Sequence, residues 1–183
     1  MTVQNMDIKE KTIESKTIYD GKIIKVTLDT VICPNGKEAK REIVRHPGGV
    51  AVVPIDEDGY VYMVSQYRIP YDSIMLEVPA GKLDKGEDTK KAAARELREE
   101  TGLVAENMIF IGSFYPSVGF CDENLRMYLA TGLSQGETEP DEDEFINVKK
   151  IHIDKLVEMI MNNEINDGKS VAAILKAKLL LDK

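Results

Sequence analysis

Three glutamates of this chain are spaced so that they could bind a divalent metal ion. Glu96, Glu99 and Glu100 stand at positions i, i+3 and i+4, which share one face if the segment is helical. Like charges at these spacings destabilise an exposed helix by about 0.2–0.5 kcal/mol per pair. Arg95 and Arg98 could offset part of this repulsion, and a divalent cation could offset more of it, because Mg²⁺ prefers oxygen ligands. A solvated charged surface is the ordinary alternative for such a face.

A helix that carries these glutamates is expected from Thr89 to Thr101. The segment is dense in Ala, Lys, Glu, Arg and Leu, which all favour helices. Asp88 is suited to cap its N-terminus, and Gly102 is suited to end it. Ala93 and Leu97 lie one turn apart and could face a core. We therefore expect the acidic face to line a cleft beside packed residues.

The rest of the chain alternates between strand-like and helix-like segments. Runs rich in Ile, Val and Thr between turn signals predict strands. The predicted strands are Thr12–Tyr19, Lys22–Ile32, Glu38–Arg45, Gly49–Ile55, Tyr60–Tyr67, Ile74–Pro79, Met108–Phe114, Leu125–Leu133 and Val148–Ile153. Two further helices are expected at Asp154–Asn162 and Lys169–Leu181. This pattern predicts an α+β fold, in which a mixed sheet is layered between helices as an α/β/α sandwich.

The composition limits the classes of function. The chain has 183 residues, 43% of them apolar, and a net charge of −8. Duplex nucleic acid is a poor partner for such an acidic surface, because its phosphates are bound by an excess of Lys and Arg. No apolar run approaches the roughly 18–20 residues that cross a bilayer, and the N-terminus lacks a signal-peptide core. Cys33 and Cys121 make no disulfide framework, so we expect a cytoplasmic protein. From the acidic charge and the lack of a long apolar run, we expect that it binds neither nucleic acid nor membranes.

Residues 81–103 carry a far more specific pattern than an acidic helix alone. Spacers of five, seven, one and one residues separate its specified positions, which are Gly81, Glu87, Arg95-Glu96-Leu97, Glu99-Glu100 and Gly102-Leu103. This pattern resembles the complete Nudix box. The resemblance implies a metal site built by a loop, a helix and a second loop. It also implies hydrolysis of a nucleoside diphosphate that is linked to another moiety.

The resemblance assigns roles to individual residues of the box. The implied ligands of Mg²⁺ or Mn²⁺ are Glu96, Glu99, Glu100 and the backbone carbonyl of Ala80. Glu99 and Glu100 thereby also count as catalytic residues. Glu87 and Arg95 are expected to form a salt bridge that fixes the loop, and Gly81 and Gly102 complete the structural positions. Bound metal ions neutralise a diphosphate, help to generate hydroxide and stabilise the leaving oxygen.

Segments outside the box are similar to the ADP-ribose pyrophosphatase branch of the same family. These segments are Arg41–Gly48, Gln66–Arg68, Leu76–Gly81 and Phe114–Glu123. By position, Arg68 would bind the phosphates and Arg41 would help to hold the terminal nucleoside. The alternative for both arginines is an exposed position on a strand. Glu77 is placed in the substrate-binding set and Glu123 in the catalytic set.

One position departs from the pattern of that branch. A Ser-Pro-Gly sequence usually stands after the box, but this chain has Val118 in place of the proline, and Pro116 comes two residues earlier. The expected substrate is ADP-ribose or a related nucleoside diphosphosugar, cleaved to AMP and ribose 5-phosphate. The departure keeps GDP-mannose, dinucleoside polyphosphates and oxidised nucleotides open as substrates. A non-catalytic module that binds a nucleotide is the alternative of a different class.

Two further expectations rest on the resemblance alone. In the branch, a glutamate on a mobile loop acts as the general base, and Glu142 matches it best by position, with Glu144 as the substitute. The alternative is an ordinary solvated acidic loop. Members of the branch are typically homodimers whose N-terminal strands cross to the partner. Residues 1–45 are therefore expected to form a dimerisation element and residues 46–183 the Nudix hydrolase domain.

Overall fold

The structure is a computed structural model that describes residues 7–136 and 145–183. The strands are β1 (Lys11–Asp20), β2 (Lys25–Ile32), β3 (Glu38–Arg45), β4 (Gly49–Pro54), β5 (Tyr60–Arg68), β6 (Ser73–Glu77), β7 (Ala80–Lys82), β8 (Leu103–Phe114), β9 (Leu125–Gln135) and β10 (Asn147–His152). The helices are α1 (Thr89–Thr101), α2 (Ile153–Met161) and α3 (Gly168–Leu181), with a 3-10 helix at Ile69–Tyr71. Within the described ranges, no helix is long and apolar enough to cross a membrane.

The chain divides into two compact units. The first contains the described residues up to Pro47 together with Ser117–Glu123, and the second contains the rest of the described chain. The sequence suggested a boundary between residues 45 and 46, with the later segment inside the hydrolase domain. Ser117–Glu123 joins the first unit because the Val44 amide donates to the Phe120 carbonyl at 2.7 Å, and the Asp122 amide donates to the Val44 carbonyl at 3.1 Å.

An antiparallel sheet with strand order β1-β2-β3 forms the first unit. All ten residues of β1 are exposed, so the buried side chains of this unit come mainly from β2. One of them is Asp29, which accepts hydrogen bonds from Ser15 Oγ at 2.5 Å and from Arg45 Nη2 at 2.9 Å. These bonds compensate the burial of the carboxylate, and the bond from Ser15 is the main reason that the pKa of Asp29 is lowered.

Two sheets build the second unit. One has the strand order β7-β4-β9-β8, in which β4 and β9 are parallel and the other neighbours are antiparallel. The other sheet has the order β10-β5-β6 and is antiparallel throughout. The parallel pair of β4 and β9 makes the four-stranded sheet mixed, as the sequence predicted.

Strand β4 lies between two hydrophobic cores because successive residues of a strand point to opposite faces. Val50 and Val52 pack in one core with apolar residues of α1. Ala51 and Val53 pack in the other core with apolar residues of α2 and α3. Helices therefore cover both faces of the sheet, which confirms the predicted α+β fold and its α/β/α layering. Burial on both faces also explains the unbroken apolar run of β4.

The segment that leads to α1 differs from its prediction. The predicted strand Ile74–Pro79 ends at Glu77, because Pro79 has no amide hydrogen to donate to a ladder. The Val78 amide donates to Ser170 Oγ at 2.8 Å and so leaves the ladder as well. Pairing resumes in β7, a short strand that the sequence did not predict.

Candidate active site

Helix α1 forms over the predicted residues because both of its ends are capped. Asp88 Oδ1 accepts hydrogen bonds from the amides of Lys90 and Lys91 at 3.1 Å. Gly102 ends the helix in the left-handed conformation with φ of 70°, which glycine adopts without steric cost. Leu97 is fully buried against the sheet. Burying a leucine side chain contributes about 1.5–3 kcal/mol, which anchors the helix.

The glutamate face of α1 is partly buried rather than solvated. Glu96 and Glu100 are each 8% exposed, and the side chain of Glu99 is 26% exposed. Burying a carboxylate is costly unless it is paired or hydrogen-bonded. This burial therefore argues against the ordinary charged surface that the sequence left open.

The box glycine lies directly against one of these glutamates. A Cβ atom at Gly81 would overlap the carboxylate of Glu96, so the glycine is needed for space rather than for an unusual backbone conformation. On the other side of the strand pair, a Cβ at Gly49 would lie 2.6 Å from the Gly81 carbonyl oxygen. The Glu96 carboxylate therefore occupies the space that a side chain at residue 81 would fill.

Arg95 ties the loop before the helix to the helix itself. Its Nε and Nη2 atoms each donate to the Glu87 carboxylate at 3.0 Å, and Nη2 also donates to the Lys82 carbonyl at 3.3 Å. Glu87 in turn accepts from the Asp84 amide at 3.1 Å. The bond from Arg95 is the main cause of the lowered pKa of Glu87, and the same bond raises the pKa of Arg95. The salt bridge that the resemblance implied is thus present and spans the loop.

The remaining nitrogen of Arg95 lies between two of the glutamates. Nη1 donates to Glu96 Oε1 at 2.8 Å and to Glu99 Oε2 at 2.9 Å. Glu100 Oε2 accepts from the amide of Ala80 at 3.0 Å. Two consecutive residues of β7 therefore contact the acidic face, since Ala80 bonds to Glu100 and the next residue packs on Glu96.

These residues fit a divalent cation by their chemistry. Carboxylate and carbonyl oxygens are the donors that Mg²⁺ and Mn²⁺ prefer, and the missing side chain at Gly81 leaves room for the carboxylate of Glu96. In the described part of the chain, no three Asp, Glu, His or Cys side chains already stand close enough to hold a metal ion. Arg95 supplies the positive charge between Glu96 and Glu99. The ligand roles of the three glutamates and of the Ala80 carbonyl therefore remain predictions.

A second charged network surrounds Glu77, which is 2% exposed. Arg68 donates to its carboxylate through Nε at 2.7 Å and through Nη2 at 2.6 Å. Lys169 also donates to it. Burial disfavours the charged carboxylate, but the bonds from both cations outweigh that effect and lower the pKa of Glu77. The bonds to Glu77 raise the pKa of Arg68, and the charges of Asp167 and Glu100 add to that shift.

The other predicted site residues are not part of these networks. Arg41 lies in the first unit, where it donates to the Glu10 carboxylate through Nε at 3.0 Å and Nη2 at 2.5 Å. Glu123 also lies in the first unit, with Oε1 at 3.6 Å from His46 Nδ1. Glu142 and its substitute lie outside the described residues. Among the described residues, neither Arg41 nor Glu123 has a contact that assigns it a role in substrate binding or catalysis.

Sequence reasoning missed Lys169 and Asp167. Lys169 is only 12% exposed and joins Glu77 to Asp167, to which it donates at 2.9 Å. An Asp before a predicted helix could have identified Asp167 as an N-cap, which it is, because it accepts from the Ser170 amide. Nothing local indicates the contact of Lys169 with Glu77, which joins residues 92 positions apart.

Comparison with known proteins decides the family. The model of the NUDIX domain matches residues 45–174, and the model of the nucleoside diphosphate sugar hydrolase N-terminal domain matches residues 10–44. The chain belongs to the Nudix family. Nudix hydrolases generally need a divalent metal ion, which agrees with the donor set of the acidic face.

This Nudix chain is similar to proteins of named activity. It is 45% identical over 168 residues to the methanol dehydrogenase activator of Bacillus methanolicus. It is 43% identical over 169 residues to the ADP-ribose pyrophosphatase of Bacillus subtilis (strain 168), and each alignment covers 91% of both chains. The crystal structure of an ADP compounds hydrolase superposes with a TM-score of 0.84 over 95% of both chains. At 21% identity that likeness concerns the fold alone.

Proposed function

We propose that this Nudix hydrolase cleaves ADP-ribose, or a related nucleoside diphosphosugar, to AMP and a sugar phosphate. The main observation is the partly buried glutamate face of α1, which is fixed by Arg95 and packed on Gly81. The choice of substrate is supported by the 43% identity to an ADP-ribose pyrophosphatase over 91% of both chains. With ADP-ribose, the oxygen of water bonds to one phosphorus while the bridging P–O bond breaks, which yields AMP and ribose 5-phosphate.

Residues of the second unit are proposed to bind the metal ion and the phosphates of the substrate. The proposed ligands of Mg²⁺ or Mn²⁺ are Glu96, Glu99, Glu100 and the carbonyl of Ala80. Such an ion, when bound, neutralises the diphosphate and promotes hydroxide formation from water. Arg68 would bind a phosphate oxygen through Nη1, which forms no hydrogen bond with any described residue. Glu77 would orient the guanidinium for that contact, because a bidentate pair fixes its plane.

Three further roles are proposed from sequence position. Arg41 would hold the terminal nucleoside, for which its guanidinium offers both hydrogen bonds and a stacking plane. Glu123 would complete the catalytic set. Glu142 would accept a proton from the attacking water, and Glu144 would replace it if the loop alignment is shifted.

A panel of nucleotides tests this proposal. Purified protein is incubated with ADP-ribose, GDP-mannose and a dinucleoside polyphosphate, each with Mg²⁺ and with Mn²⁺, and the products are separated. We expect release of AMP and ribose 5-phosphate from ADP-ribose, and its loss in Glu99→Gln. Glu158→Gln is the matched control, because it neutralises an exposed carboxylate on α2. Turnover of the other nucleotides but not ADP-ribose would reject the substrate, and tight ADP-ribose binding without products would favour the binding-module alternative.

A variant of the proposed base extends the same panel. Glu142→Gln should lower the rate with ADP-ribose by roughly 100–10,000-fold, the usual contribution of general base catalysis. Glu144→Gln should have little effect. An unchanged rate in Glu142→Gln would show that this glutamate is not the base.

A second candidate function is activation of a methanol dehydrogenase. It is supported by the 45% identity to the activator of Bacillus methanolicus, which extends over 91% of both chains. A methanol dehydrogenase assayed with and without the purified protein tests it. Activation that persists in Glu99→Gln would separate this function from hydrolysis, and no activation by the wild type would reject it.

We also propose that the first unit mediates a homodimer. The support is β1, whose ten residues are all exposed and include Ile13, Ile18 and Tyr19. Sedimentation analysis should give the mass of a dimer for the wild type and of a monomer for the double variant Ile13→Lys and Ile18→Lys. A monomeric wild type would reject the proposal.

A further inference from the structure

Glu77 is a buried carboxylate that is compensated from two directions. Arg68 approaches from the end of β5 and donates two hydrogen bonds to it. Lys169 approaches from the first turn of α3 and donates a third. A carboxylate with so little exposure is destabilising unless it is paired, so Glu77 needs at least one of these cations.

The first turn of α3 is bonded to the segment that leads into the Nudix box. Asp167 accepts hydrogen bonds from the amide of Ser170 at 3.1 Å and from its hydroxyl at 2.5 Å. The same hydroxyl accepts from the Val78 amide at 2.8 Å. Asp167 also pairs with Lys169 at 2.9 Å. The helix is thereby held next to Glu77, and its lysine has a fixed place.

The second cation changes what Arg68 can do. If Arg68 were the only partner of Glu77, the two charges would form a closed pair with little attraction left for an anion. Lys169 shares the carboxylate, so Glu77 cancels less of the charge of Arg68. The Arg68 side chain is 38% exposed, and its Nη1 atom forms no hydrogen bond with the described residues. An accessible, incompletely neutralised guanidinium is suited to bind a phosphate.

We propose that Lys169 is a positioning residue, which shares the charge of Glu77 and so keeps Arg68 oriented and free to bind a phosphate of the substrate. Lys169 acts through Glu77 and does not touch the substrate itself. The inference rests on the proposed function in one respect, namely that the anion bound by Arg68 is a diphosphate. It predicts that loss of the Lys169 charge weakens substrate binding more than it slows turnover.

Steady-state kinetics of charge variants test this inference. Lys169→Met removes the charge with little change in length, and we expect KM for ADP-ribose to rise about 10-fold, the effect of losing about 1.4 kcal/mol of binding, while kcat changes less than about threefold. Lys169→Arg should restore KM, because it restores the charge. Lys178→Met is the control from the far end of α3, where the lysine pairs with Asp154 and Asp182. A fall in kcat alone, or an equal effect of Lys178→Met, overturns the inference.

A double-mutant cycle shows whether Lys169 acts through Glu77. Lys169→Met should have no further effect on KM in the Glu77→Gln background, because the carboxylate that it compensates is gone. An undiminished effect in that background overturns the inference. If Lys169→Met does not fold, Lys169→Arg is compared with the wild type instead, and the two should have similar KM values. A KM for Lys169→Arg as high as that of a variant without the Arg68 guanidinium would overturn the inference.

Binding of ADP without turnover separates this inference from the proposed function. Calorimetry in a chelator-containing buffer measures the affinity of the protein for ADP with divalent metal ions removed, so that the phosphates are bound by side chains such as Arg68. The expected result is an affinity about 10-fold lower in Lys169→Met than in the wild type. If no nucleotide is hydrolysed but this difference is found, the proposed function fails and the role of Lys169 stands. Equal affinities, or no binding by the wild type, overturn the role of Lys169.

Discussion

Arg95 and Glu99 are bonded through Nη1 of the arginine, which lies 2.9 Å from Glu99 Oε2 and donates to Glu96 as well. One guanidinium therefore fixes the loop through Glu87 and compensates two glutamates of the acidic face. The repulsion expected from the spacing of the glutamates is thus offset by a residue of the same helix. This arrangement holds the Glu96 and Glu99 carboxylates beside one guanidinium and close to each other.

Replacement of Arg95 by lysine should destabilise the protein and disorder the loop. Lysine cannot donate two parallel hydrogen bonds to Glu87, so the loop loses its attachment to α1. We expect a loss of about 1–3 kcal/mol in the free energy of unfolding, measured with urea. Hydrogen exchange of the amides between Lys82 and Glu87 should become faster. Arg126→Lys is the control, because within the described part of the chain the Arg126 side chain forms one hydrogen bond, to Ser113 Oγ. Unchanged exchange in the loop would contradict the proposed attachment.

Replacement of Gly81 by alanine should disturb the acidic face directly. The new methyl group would overlap the Glu96 carboxylate, and overpacking typically costs about 1–3 kcal/mol. Adding Glu96→Ala removes the overlapping group, so the melting temperature should recover while hydrolysis should not. Gly119→Ala, which has open space around the position, controls for the added methyl group. A double variant as unstable as the single one would show that the overlap is not the cause.

Acid should lower the free energy of unfolding partly through protonation of Glu77. The pKa of this carboxylate in the folded protein is lowered from its ordinary value of 4.5, so its contribution to stability is present above about that pH and is lost as the pH falls through the folded value. We expect the free energy of unfolding of the wild type to fall between about pH 5 and pH 3 more steeply than that of Glu77→Gln. Urea unfolding at a series of pH values measures both slopes. Parallel slopes would exclude this role of Glu77.

The sequence predicted α1 from Thr89 to Thr101 because its cap residues and helix formers are local signals. The predicted start of β8 at Met108 was wrong, since the strand begins at Leu103. That start depends on pairing with Gln135 of β9, which no local pattern reveals.

The candidate site shows the same division between local and distant signals. The spacing of the box pointed to Glu87, Arg95 and the three glutamates as candidates, since all of them lie within one short segment. The contact between Glu77 and Lys169 could not be predicted, because it joins strand β6 to helix α3, which are far apart in the chain. The burial of Glu77 depends equally on packing that only the fold defines.

The most direct test of the glutamate face is a titration with Mn²⁺ followed by calorimetry in the absence of nucleotide. The account predicts that the wild type and the control Glu158→Gln bind Mn²⁺ with the same affinity. It predicts that Glu99→Gln weakens binding by at least about 10–100-fold, the loss usually seen when even a residue outside the ligand set is removed. Equal Mn²⁺ affinity in the wild type and in Glu99→Gln would contradict the claim that this face of α1 holds the metal ion.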